Sequence, residues 1–97
     1  MVRHMEERRR EARTVELLEI REINRQPVNG SYLLDHSPLG AKLESSLSFA
    51  PGDGVEFSYL RPGEAQETCR WGQVIWVIPA PDKPGRYLMG VEFVLLD

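Results

Sequence analysis

The sequence predicts an all-β domain, either a sandwich or a small barrel. Two observations carry this. Apolar residues recur with the two-residue period of half-buried strands, and clusters of Gly, Pro, Asn and Asp interrupt them at short, regular intervals. No convincing amphipathic helical pattern competes with that reading. Of the two architectures the barrel is favoured, because closing a sheet of this size removes edges that an open sheet would have to protect.

The strands are expected in the following order. Residues 15–20 form the first, with Val15 and Leu17 on one face. Asn29-Gly30 is a turn signal, and residues 31–34 lead back as a second strand. Residues 35–39 read as a loop, and residues 40–43 restart a strand. Pro51-Gly52-Asp53-Gly54 turns the chain into the cleanest alternation of the sequence, Val55, Phe57 and Tyr59 against Glu56 and Ser58. After a turn at Arg61-Pro62-Gly63-Glu64, residues 70–78 form a long strand, with Val74, Trp76 and Ile78 on one face and Ile75 and Val77 on the other. Residues 79–85 contain three prolines and can only be a loop. Residues 87–95 are the last strand.

Ninety-seven residues suit one domain with one modest core. The apolar runs 74–80 and 91–96 are far too short to span a bilayer, and no charged segment followed by an apolar one marks a secretory signal. Cys69 is the single cysteine, so no internal disulfide can form and a cytoplasmic location is expected. The net charge of −3 argues against a general polyanion binder. Charge is unevenly spread: residues 1–13 carry five Arg against three Glu, whereas the remainder carries seven basic against twelve acidic residues. The chain therefore divides into an N-terminal arm, residues 1–13, and a β domain, residues 14–97. With almost no apolar residues, the arm cannot order itself by burial.

Two short signatures stand out. The first is Arg9-Arg10-Glu11-Ala12-Arg13, an RxxxR preceded by Arg8; the second is Asp35-His36-Ser37-Pro38-Leu39-Gly40, a DxSxxG. A cluster built from Arg rather than Lys favours planar, forked recognition of a phosphate or of a guanine edge, although a solvated terminus would look the same. Asp35 and Ser37 can accept from the ring and amino N–H groups of a base, or they can simply brace a turn. Gly40 supplies a positive φ or lets the backbone come close. Trp76 belongs to the core on pattern alone; at a barrel rim its face could stack on a base or an arginine, and Trp71 carries the same ambiguity. Enzyme chemistry finds little support. The sequence has no HxxxH or CxxC metal spacing, no GxSxG elbow and no Walker-type phosphate loop, and no cofactor is expected.

In their order and spacing the two signatures resemble the PilZ domain, a bacterial receptor module for cyclic di-GMP. Ala41-Lys42-Leu43, Pro51-Gly52-Asp53 and Gly90-Val91-Glu92-Phe93 extend the resemblance over essentially the whole chain. It implies a six-stranded antiparallel β-barrel with a flexible N-terminal arginine-rich arm, and ligand binding rather than catalysis. By position, Arg9 and Arg13 would meet phosphates and guanines, with Arg8 and Arg10 supplementing them. Asp35 and Ser37 would hydrogen-bond a guanine, Gly40 would allow close approach, and Trp76 would lie beside the ligand. Arg8 further implies a ligand bound as a stacked dimer. The family's role is to relay messenger levels to motility, adhesion, biofilm or virulence machinery, so an unidentified downstream protein partner is expected. Neither nucleic-acid binding nor membrane insertion is expected. Because Asp97 closely follows the last strand, the C-terminal helix of many members is not expected. Two other readings compete: a PilZ-like protein-interaction adaptor with weak or no nucleotide binding, and a barrel that stacks single-stranded nucleic acid on its aromatics.

Overall fold

A computed structural model describes residues 14–94 of the chain. All of its regular structure is β: β1 (Thr14–Ile23), β2 (Gln26–Pro27), β3 (Tyr32–His36), β4 (Gly40–Ser45), β5 (Gly54–Tyr59), β6 (Thr68–Pro79) and β7 (Tyr87–Phe93). Every pairing is antiparallel, in the order β2-β1-β3-β4-β7-β6-β5. A further pairing of β1 with β5, through Ile20↔Tyr59 and Ile23↔Phe57, closes the sheet. The result is the six-stranded antiparallel barrel expected, with β2 as a two-residue appendage. β1 pairs with β3 along its first half and with β5 along its second, where it also carries β2.

β2 escapes the sequence reading. It folds back through Asn24 and Arg25, both with positive φ (52° and 67°), as a two-residue hairpin turn requires. Arg at such a position is not a turn signal, which hides the hairpin.

The barrel interior holds Leu18, Ile20, Leu33, Leu43, Phe57 and Met89 among its most buried residues. Phe57 stacks on Tyr59 and tilts against Phe93, with ring centroids 6.1 and 6.3 Å apart. Each such side chain contributes on the order of 1.5–3 kcal/mol of burial free energy. On β1, Leu17 is 72% exposed, and Leu18 and Ile20 supply the inward side. A bulge between Val15 and Leu18 breaks the strict alternation of β1.

Two further readings, of the end of β3 and of Trp76, are also revised. Asp35 and His36 belong to β3 rather than to the following loop. Between Leu33 and Asp35 the β3–β4 ladder gains an extra residue, so Leu33 faces inward and Asp35 does not. Between Val74 and Trp76 the β6–β7 ladder does likewise: Val74 is buried, whereas Trp76 is 37% exposed. Val74 and Trp76 therefore do not share a face, and Trp76 is not a core residue.

At the end of β4 far from Gly40, a polar clasp holds the proline-rich loop. Arg86 Nε donates to Glu44 Oε2 at 2.6 Å and Lys83 Nζ donates to Oε1 at 3.3 Å. Arg86 Nη2 also donates to the Gly30 carbonyl, and the guanidinium lies over the Tyr32 ring. The Arg86 guanidinium bonded to Glu44 holds its carboxyl below the usual carboxylate range; burial opposes this and Lys83 adds to it.

Candidate ligand-binding site

The outer face of the barrel carries a transverse row of four residues. Asp35 on β3 stands opposite Lys42 on β4, Lys42 opposite Gly90 on β7, and Gly90 opposite Trp76 on β6. Directly opposed residues share a sheet face. The neighbours of the row confirm which face it is: Ala41, Leu43, Met89 and Val91 all point into the core. With strands about 4.8 Å apart, the row runs roughly 14 Å across the sheet.

The two bulges build this row. In an unbroken alternation, Asp35 would follow Leu33 inward and Trp76 would follow Val74 inward. The extra residues Leu34 and Ile75 reverse both, and bulges commonly re-aim a side chain in this way. Gly90 completes it. A Cβ there would overlap the indole nitrogen of Trp76, so the bare backbone is what seats the ring.

The row opens into a cleft of about 430 Å³ lined by Asp35, Ser37, Gly40, Lys42, Trp76 and Glu92, with Leu39 and Ile75 adding apolar wall. That volume falls within the range of small-molecule sites. Four sequence-predicted residues, Asp35, Ser37, Gly40 and Trp76, thus meet in one place although they are up to 41 positions apart in the chain. Arg8, Arg9, Arg10 and Arg13 lie outside the described residues. The strand that follows them begins at Thr14, opposite His36, so the chain joins the barrel beside Asp35 and Ser37.

The turn between β3 and β4 is braced from within. Ser37 N–H donates to the Gly40 carbonyl at 2.8 Å, and Ser37 Oγ accepts the Leu39 N–H at 3.2 Å. The Ser37 hydroxyl keeps a hydrogen to donate. Gly40 does not adopt a positive φ, contrary to one expectation for it. Its necessity lies elsewhere: a Cβ would overlap the Val91 carbonyl, so glycine here lets β4 and β7 approach. His36 turns inward, where Arg61 Nη2 donates to its Nε2 at 3.1 Å and Arg61 also covers the Tyr59 ring. Trp71 is 51% exposed and does not line the cleft.

Lys42, Glu92 and Ile75 are cleft residues that sequence reasoning missed. The alternation Ala41-Lys42-Leu43 places Lys42 outward, yet nothing in it indicates which outward residues gather. Elsewhere, Cys69 donates its thiol to Glu56 Oε2 at 3.3 Å; partial desolvation and the Glu56 carboxylate push the thiol up, opposite to what an activated nucleophile needs. Among the described residues no group of His, Cys, Asp and Glu is arranged to hold a metal ion.

Comparison with curated proteins and with solved structures gave no match. A family model described as PilZ domain matches residues 7–97, a span that takes in RxxxR, all seven strands and every residue of the cleft. With that match over nearly the whole chain, and with the closed barrel now described, the chain belongs to the PilZ domain family.

Proposed function

We propose that this chain is a receptor for cyclic di-GMP, the ligand bound by the PilZ family, and that it acts by binding rather than by catalysis. One observation supports the reading most: Asp35, Ser37, Gly40 and Trp76, drawn from three strands and a turn, line a single cleft at the end of the barrel where β1 begins. Asp35 accepts guanine N–H donors, Ser37 donates to or accepts from the base, and Trp76 offers a ring face for stacking. Arg9 and Arg13 supply forked contacts to phosphate or guanine, with Arg8 and Arg10 beside them.

The signal is passed on through the arm. Residues 1–13 hold too little apolar surface to order themselves, and a ligand carrying two phosphates neutralises their arginines while bridging them to the Asp35–Gly40 turn. The bound arm then presents a new surface to a downstream protein, with the strands hardly moving. Arg8 stacks or pairs with a second ligand molecule.

Isothermal titration with cyclic di-GMP tests the receptor. Arg9→Ala, Arg13→Ala and Asp35→Ala each lose a charge-assisted contact of about 1.5–3 kcal/mol, a weakening of roughly tenfold to a hundredfold with the barrel intact. No heat and no chemical-shift change at high ligand concentration would reject the reading. Backbone relaxation of residues 3–13, with and without ligand, tests the relay. A stoichiometry of one, unchanged in Arg8→Ala, would remove the dimer.

A further inference from the structure

The receptor reading rests on two sequence signatures, and Lys42 belongs to neither. It nevertheless stands in the middle of the row, between Asp35 and Gly90, and lines the same cleft. The other charged groups lining that cleft are the carboxylates of Asp35 and Glu92, so among the described residues Lys42 is its one cation. Its ammonium makes no hydrogen bond or ion pair with any described residue, although an acid stands on the neighbouring strand. Glu44, two residues further along the same face, has by contrast drawn in two cations.

We infer that Lys42 is a ligand contact: it holds a phosphate of the bound cyclic dinucleotide against the barrel wall and so fixes how the ligand lies along the row. Charge sets the division of labour. The flanking carboxylates repel a phosphate and suit the N–H edge of a base, whereas the ammonium between them attracts the phosphate. Because Gly90 has no side chain and the Trp76 indole lies over it, the ring stands next to the ammonium in the row with no side chain between them. A base stacked on Trp76 and a phosphate on Lys42 are then fixed by two rungs that share Gly90, one between β4 and β7 and one between β6 and β7, independently of the arm. Lys contributes a mobile point charge where the arm's arginines contribute forked geometry.

This inference depends on the receptor reading, and the experiment separates the two. Wild type, Lys42→Gln and Lys42→Arg are titrated with cyclic di-GMP by calorimetry at low and at high salt. Lys42→Gln is expected to bind about tenfold more weakly at low salt and to show a visibly smaller loss of affinity as salt is raised, because one screened charge contact is gone. Lys42→Arg is expected to recover most of the affinity and the full salt dependence, which a structural role for the alkyl stem would not restore selectively. Wild-type affinity and wild-type salt dependence in Lys42→Gln would overturn the contact while leaving the receptor standing. A wild type that binds no cyclic di-GMP would overturn both.

Discussion

Lys42 and Glu44 are two residues apart on the same outward face of β4, and their surroundings have made opposite use of them. Glu44 is covered by the loop after β6, bonded to Arg86 and Lys83, and almost without contact with water. Lys42 is half-exposed, lines a cleft and has no ionic partner among the described residues. One end of the strand has used its charge to fasten the fold, and the other holds its charge in reserve for something that arrives from solution. Strand alternation says that both residues face outward; it cannot say which one a distant loop will cover. The difference therefore predicts a clean split between variants that damage stability and variants that damage recognition.

The largest effect is expected at the clasp. Glu44→Ala leaves Arg86, whose side chain is only 24% exposed, without its carboxylate and frees the loop above it. A loss of roughly 2–3 kcal/mol follows, equivalent to a melting temperature lower by roughly 10–20 °C. Thermal denaturation followed by circular dichroism measures it, and affinity for cyclic di-GMP below the melt should stay at the wild-type level. Asp35→Ala should do the reverse, weakening binding by roughly tenfold to a hundredfold with little change in melting temperature. If both variants lose stability and affinity together, the two ends of β4 are not separable.

Gly90→Ala sits between these extremes. The added methyl meets the Trp76 indole, so the ring must tilt away at a cost of about 1–3 kcal/mol. Its tryptophan emission should shift relative to wild type, and affinity should fall through displacement of the ring. An unchanged spectrum would show that Gly90 does not seat Trp76.

The smallest effect concerns pH. Because Glu44 has a folded-state pKa below its unfolded value, the clasp contributes its full stability above the ordinary glutamate range, and that stability is lost as pH falls through the lowered value. Glu44→Gln should therefore flatten the acid side of the stability profile and leave the neutral side of the curve parallel to wild type. An identical acid limb in both proteins would mean the carboxylate is not what the clasp depends on.

Much of the barrel was legible from the chain because its signals are local. The alternation of Val55, Phe57 and Tyr59, the turns at Asn29-Gly30 and Pro51-Gly52, and the prolines after Pro79 each act within a few residues. The candidate site was legible only as a set of names. Asp35, Ser37 and Gly40 fall in one motif and could be read together, yet their company with Trp76 and Lys42 depends on ladder register across four strands. Register also defeated the core placement of Trp76, since a single bulge inverts every inference drawn from a two-residue period. Gly40 and Gly90 illustrate the same limit: each is required by a neighbouring strand and not by its own turn.

The bulge at Ile75 bears on how the chain can change length. In a regular strand, losing one residue exchanges interior and surface for everything beyond it. Ile75 is different, because the rungs on either side, Val74↔Val91 and Trp76↔Gly90, are already consecutive on β7, and the β5 pairing of β6 ends before it, at Gln73. Excising Ile75 would straighten the ladder and leave both rungs, with Val74 still inside and the indole still outside. The wall of the cleft therefore contains a point where a one-residue deletion leaves the core untouched, so lineages could reshape the pocket there by length as well as by substitution.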